Sequence, residues 1–316
     1  MANTKEIQDR INSIRDTMKI TRAMYMMSSM KLRKAKQKLA NTEPYFFSLQ
    51  EQIRDILYHY PDMQHLYFDN RNKDLAESVK RKGFVVVTGD KGMAGAYNLN
   101  VLKQARELID EAEDYRLFVV GELGRRFFKS QGYVIEEDFA YSANNPSIHR
   151  ARMMAERMMK LYKDEELDEI YIVYTKMINS MSEEAQVQRL LPLQTHKFIE
   201  QEMLEKIQNE QGEYDLQAAE KLHDEWYLIY PSPKAVLEKV VDNYITGFFY
   251  GALVEASASE ENARMMAMQS ATDNAEAMLH DLSIEYNRVR QAAITQEITE
   301  VIGGAKALKK KKKQAR

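Results

Sequence analysis

The chain has 316 residues, 44% of them hydrophobic and 29% charged, with a formal net charge of -3; that is enough to bury a sizeable core in one or two domains. The count of 0 cysteines excludes disulfides, thiol catalysis and thiolate metal sites, and no apolar run approaches the ~18 residues of a membrane span. The net charge hides an asymmetry. Residues 1–40 carry ten Lys/Arg against three Asp/Glu, and ten minus three gives +7; residues 255–302 carry three against nine, and three minus nine gives -6. Opposite charge on two segments favours their pairing as helices. A basic N-terminus alone would suit nucleic acid, but the acidic C-terminus speaks against it.

In chain order, the N-terminal segment reads as a heptad seam. Ile7, Ile11, Ile14, Met18, Thr21, Tyr25, Ser28, Leu32, Ala35 and Leu39 step by four and three in turn, which keeps one stripe facing a partner helix. The seam is apolar at its ends and polar in the middle. Pro44 marks a break, with helix resuming through Phe47, Ile53 and Leu57. The middle of the chain then alternates strands and helices. Gly83–Thr88 is a buried strand, Asn98–Ile109 a helix, Leu117–Gly121 a strand and Glu122–Gln131 a helix. Tyr133–Ile135 suits a short third strand, Pro146–Tyr162 a helix, Glu169–Tyr174 a strand and Val187–Leu193 an antiparallel edge. The alternation implies a mainly parallel sheet. Residues 196–226 read as a polar, helical excursion. At the far end, Ser232 can cap and Pro233 can open a helix. Between Ala235 and Ile302 there is no proline, and glycine stands only at 247 and 251. A seam runs there through Leu282, Tyr286, Val289 and Ala293. Such a helix would be roughly 100 Å long. Lys309–Lys313 reads as a solvated, disordered basic tail.

Residues that could carry chemistry are sparse. Gly89-Asp90-Lys91-Gly92-Met93-Ala94-Gly95 follows a strand and precedes a helix, where phosphates bind. Its spacing fits neither the dinucleotide fingerprint nor the P-loop, so a tight strand-to-helix turn is the favoured reading. None of His59, His65, His149, His196, His223 and His280 has a metal-ligand spacing. Methionines cluster at Met24, Met26, Met27 and Met30, and again at Met265, Met266 and Met268; core filling or an adaptable sliding surface both suit them.

Several runs together resemble the γ subunit family of F-type ATP synthases. They are Ile11-Asn12-Ser13-Ile14 and Lys19-Ile20-Thr21-Arg22-Ala23-Met24-Tyr25-Met26 near the start, and Thr88-Gly89-Asp90-Lys91-Gly92-Met93-Ala94-Gly95-Ala96-Tyr97-Asn98 in the middle. Near the end come Ala263-Arg264-Met265-Met266-Ala267-Met268 and Ala271-Thr272-Asp273-Asn274-Ala275. The run from Tyr286 to Ala305, which contains Arg290-Gln291-Ala292-Ala293-Ile294-Thr295-Gln296-Glu297-Ile298-Thr299-Glu300-Val301-Ile302-Gly303-Gly304, looks like the family signature. These runs fall in family order over nearly the whole chain.

The resemblance implies an α/β fold plus a long α-helical coiled coil: an antiparallel pair of N- and C-terminal helices with a central Rossmann-like α/β domain. The expected division is 1–60 for the first helix, 61–230 for the α/β foot, 231–308 for the last helix and 309–316 for the basic tail. It implies the rotor shaft of a proton-translocating bacterial enzyme, peripheral at the cytoplasmic side of the cell membrane. The shaft would sit inside a ring of α and β subunits, with the ε subunit and c-ring at its foot, no cofactor and no catalytic site of its own. Arg22, Met24, Lys31, Arg33, Arg264, Gln291, Thr295 and Glu297 match torque-contact positions, and Ile298, Val301 and Ile302 match a tip held in a bearing. Two other readings stand beside this one: a stand-alone coiled-coil scaffold, and a nucleotide-binding α/β enzyme.

Overall fold

A computed structural model describes residues 4–60, 63, 65–68, 79–179, 182–194, 198 and 229–314; the expected excursion at 196–226 lies almost wholly outside them. The elements are α1 (Thr4–His59), β1 (Lys82–Val87), α2 (Tyr97–Asp110), β2 (Tyr115–Val120), α3 (Glu122–Ser130), α4 (Ile148–Lys163), β3 (Glu169–Met177), β4 (Glu183–Leu191) and α5 (Pro233–Gln314). The chain divides into two compact units.

The larger unit, Ser29–Arg264, holds the sheet in the order β2-β1-β3-β4. β1 pairs parallel with both β2 and β3, and β4 closes the edge antiparallel to β3. Because side chains alternate across a strand, each strand feeds two cores. Val85, Val87, Phe118, Val120, Ile170 and Ile172 face the layer built by α4, the end of α1 and the start of α5. Phe84, Val86, Leu117, Val119 and Val173 face α2 and Phe128 of α3. Burying a large apolar side chain contributes about 1.5–3 kcal/mol, so a sheet covered on both faces is strongly held. Lys31 of α1 meets Glu261 of α5 at 2.9 Å, while Phe46, fifteen residues on, stacks on Tyr244, seventeen residues back, at 5.0 Å between centroids. The two long helices therefore run antiparallel.

The smaller unit joins Met1–Ser28 to Met265–Arg316. Here Ile7, Ile11, Thr21 and Ser28 of α1 are buried and Ile14, Met18 and Tyr25 half-buried, as are Thr272, Met268 and Ala275 of α5 buried. The predicted seam is thus the covered stripe.

The structure departs from the sequence reading in four places. β4 runs Glu183–Leu191 where the edge was expected at Val187–Leu193. α1 passes through Pro44 without a break. The missing N–H and the ring clash weaken one turn, but Phe46 and the buried Leu49, Ile53 and Ile56 anchor the helix beyond it. Tyr133–Ile135 forms no strand: Val134 is exposed and the segment gives β2 a single bond, Glu136 N to Leu117 O at 2.9 Å. An isolated bridge, Val120 to Tyr141, takes that position instead. Finally, α5 continues through 309–314, where an irregular tail was expected.

Candidate partner-contact site

The loop after β1 is filled by its own chain. The first amides of α3 form the kind of site that attracts anions. Glu122 N donates to Asp90 Oδ1 at 3.1 Å, Leu123 N to Gly89 O at 3.2 Å and Gly124 N to Thr88 Oγ1 at 3.0 Å. Asp90 also accepts from Ser142 Oγ, Asn144 N and Asn144 Nδ2 at 2.5–3.1 Å. Burial works against its charge, but the donors from Ser142, Asn144, Glu122 and Ala143 outweigh it and hold the carboxyl below its ordinary value. The carboxylate of Asp90 stands where a phosphate would. Gly121 is required here: its φ is +92°, and a Cβ would lie 2.2 Å from Thr88 O.

The C-terminal end of the sheet, where doubly wound folds take ligands, is occupied by α5. Ser259 Oγ donates to Thr175 O at 3.2 Å as β3 ends. Glu260 presses on Gly89, whose added Cβ would lie 2.8 Å from Glu260 Oε1. Arg264 pairs with Glu260, meets Glu261 at 2.9 Å and donates to Lys91 O at 3.5 Å. Burial opposes the charge on Arg264, and the two carboxylates overcome it, keeping the guanidinium above its ordinary value. Glu260 shifts the other way than its ion pair alone would dictate. Its burial, with Glu261 and Asp90 nearby, outweighs Arg264 and raises it.

In the larger unit the structure brings Lys31 and Arg264 onto one carboxylate, Glu261. Sequence reasoning missed Glu261; only its place in the acidic stretch hinted at it. Arg264 was expected to face a partner. It is instead 7% exposed and spent within the chain, because α5 turns that face onto the sheet. Arg33 is exposed. Lys31, Lys34 and Lys38 wall a groove of about 560 Å³ against Asn144, Asn145 and Pro146, so part of the basic stretch is a shaped surface. In the smaller unit Arg22 pairs with Glu276 while remaining half-exposed, and Met24 is half-buried. Gln291, Thr295 and Glu297 are exposed, Thr295 Oγ1 donating to Gln291 O at 2.8 Å. Ile298, Val301 and Ile302 are 53%, 73% and 51% exposed. Every residue from 290 to 306 is exposed. Among the described residues no cluster of His, Asp and Glu could hold a metal, and no helix is long and apolar enough to cross a membrane.

These features define a protein whose terminal helices pair in each unit, with an α/β domain inserted between them in sequence and apolar residues exposed at the end of α5. The family model described as ATP synthase matches residues 3–308. An ATP synthase gamma chain from Ruminiclostridium cellulolyticum is 41% identical over 307 residues, covering 97% of this chain and 99% of the relative. The chain belongs to the ATP synthase gamma chain family. A relative from Acetobacterium woodii, named ATP synthase gamma chain, sodium ion specific, is 37% identical, covering 97% of this chain and 99% of the relative. Among solved structures, a chain of the Tetrahymena thermophila mitochondrial ATP synthase central stalk and c-ring is similar in fold, with a TM-score of 0.55, 20% identity, and coverage of 80% of this chain and 99% of that one.

Proposed function

We propose that this chain is the central rotor shaft of a bacterial F-type ATP synthase, coupling rotation of a membrane ring to conformational change at catalytic subunits. The observation that carries this reading is the end of α5. From 290 to 306 no residue is covered, yet Ile294, Ile298, Val301 and Ile302 are apolar. A helix bearing such a surface needs a sleeve of other proteins. The sleeve is the ring of α and β subunits, and Ile298, Val301 and Ile302 are the bearing surface. Arg22, Met24, Lys31, Arg33, Gln291, Thr295 and Glu297 face that ring along the shaft, while Arg264 acts inward, holding α5 to the sheet. Residues 1–60 and 231–308 form the shaft, 61–230 the foot that meets the ε subunit and c-ring, and 309–316 a basic extension.

The shaft itself carries no catalytic site. Its task follows from energetics: one charge crossing 100 mV yields about 2.3 kcal/mol, so several ion steps must be summed per ATP. A shaft can bias the β subunits only by contacting their conformations unequally. The chain is peripheral at the cytoplasmic side of the cell membrane, held there through its partners. The coupling ion is set in the c-ring and not here.

The test is co-purification. A C-terminally tagged chain from gently solubilised membranes is expected to bring down α- and β-sized partners with ATP hydrolysis. Recovery of the chain alone, or as its own oligomer, would remove the reading in favour of a coiled-coil scaffold.

A further inference from the structure

His65 stands between α1 and β1 and takes no part in the contact surface described above. It is 8% exposed, and its ring centroid lies 5.4 Å from that of Tyr67 and 6.3 Å from that of Phe68. Its carbonyl accepts from Phe68 N at 3.0 Å, closing a short turn over Leu66–Phe68. Its side chain closes the same turn a second time: Tyr67 N donates to His65 Nδ1 at 3.3 Å. A backbone N–H can only donate, so this bond exists only while Nδ1 carries no proton.

The turn is a junction of three elements. Tyr67 is fully buried. Its hydroxyl donates to Asp242 Oδ1 of α5 at 2.6 Å, and its carbonyl accepts from Leu193 N, just past the end of β4, at 2.7 Å. Its ring lies 6.4 Å from that of Tyr162 and 5.2 Å from Lys163 Nζ, both of α4. Burial and the bond to Asp242 push the Tyr67 hydroxyl up, so it remains a donor. The charged groups that act on His65 are Glu238, Asp242 and Lys234 of α5 and Lys163 of α4. Both carboxylates are already engaged, Glu238 with Lys163 at 3.1 Å and Asp242 with Tyr67. A second ring proton on His65 would set two donors face to face in a buried place.

We infer that His65 is a proton-sensitive hook: neutral, its Nδ1 holds the Tyr67 amide and with it the turn that joins α4, α5 and the end of β4, and protonated, it releases that turn. The direction of titration agrees. Burial, helped by Lys234 and Lys163, outweighs the pull of Glu238 and Asp242 and keeps the imidazole below its ordinary 6.5. The folded chain therefore binds this proton less tightly than the unfolded chain, and the stabilisation is full above about 6.5 and is lost as pH falls through the lower folded value. The hook is a property of the folded chain, independent of the ring in which it works.

The experiment is amide hydrogen exchange on the full-length chain between about pH 8 and about pH 5, corrected for intrinsic exchange. In the wild type, protection of the Tyr67 and Leu193 amides is expected to fall roughly fivefold or more toward the acid end. His65→Asn offers a side-chain oxygen to the same amide and takes no proton, so its protection should hold across the range. His65→Phe keeps a ring without an acceptor and should lack that protection throughout. Flat wild-type protection, or a fall of the same size in His65→Asn, would overturn the inference. Should the variants fail to fold, the ring nitrogens of wild-type His65 are followed by ¹⁵N NMR. A neutral ring protonated on Nε2, with a midpoint below 6.5, supports the hook; a neutral ring protonated on Nδ1, or a midpoint at or above 6.5, overturns it.

Discussion

Thr21 of α1 and Thr272 of α5 place their hydroxyl oxygens 2.8 Å apart in a buried contact, while each also reaches a carbonyl of its own helix, Met18 at 3.1 Å and Met268 at 2.8 Å. Two hydroxyl protons serve three contacts, so the pair is coupled. Thr21→Val and Thr272→Val are each expected to cost about 1 kcal/mol, and the double variant clearly less than the sum, because replacing both partners strands no polar atom. Amide exchange around Thr21 in the full chain measures this; strict additivity would show that the hydroxyls act independently.

Arg264 and Lys31 share Glu261 but differ in burial. Arg264→Met strands the buried Glu260 and leaves Glu261 with Lys31 alone, and should destabilise the chain by about 3–5 kcal/mol. Lys31→Met removes a pair whose lysine is 58% exposed, and should cost under about 1 kcal/mol. Urea midpoints of the two variants compare them directly.

Gly121 and Gly92 make a second contrast. A Cβ at Gly121 collides with Thr88 O, whereas at Gly92 it meets nothing within 4 Å. Gly121→Ala should cost about 3 kcal/mol or more, and Gly92→Ala should stay within about 0.5 kcal/mol.

Asp90 is held below its ordinary value, so its stabilisation is present above the unfolded value of about 3.8 and is lost as pH falls through the lower folded value. Asp90→Asn keeps the shape but gives up one accepting oxygen. It should reduce the amide protection of Glu122 and Asn144 at neutral pH by roughly tenfold, equivalent to about 1.4 kcal/mol. Unchanged protection would mean the loop is held from elsewhere.

Ile298 is 53% exposed, so with Ile298→Asp the stability of the isolated chain should move by less than about 0.5 kcal/mol. Co-purification of ring subunits with the variant should nevertheless fall, since a charge would enter an apolar bearing.

The sequence made the long helices legible because their seams repeat over many turns, and it made β1, β2 and β3 legible as dense apolar runs. β4 was found only from Val187 onward. Its first residues, Glu183 to Gln186, are polar apart from Ala185, and none of them is buried, so they do not resemble a covered strand. The Tyr133–Ile135 reading failed because three apolar residues satisfy a strand pattern without a neighbour to pair with. The site was legible unevenly. The tip residues Ile298, Val301 and Ile302 were named only through the family resemblance, and their exposure came from the structure. The inward turn of Arg264 and the bridging role of Glu261 could not be read in the sequence, because they depend on where α5 crosses the sheet. Asp90 lay within a motif whose glycines drew attention first, although its carboxylate closes the crevice.

The central claim is that this chain turns inside a ring. The chain has no cysteine of its own, so one introduced at an exposed foot position, Glu107→Cys, can carry a visible bead while the purified ring is fixed to a surface. ATP is expected to drive sustained rotation of the bead in one direction, stopping when ATP is removed. A bead that only fluctuates without direction on complexes that are hydrolysing ATP would contradict the shaft assignment.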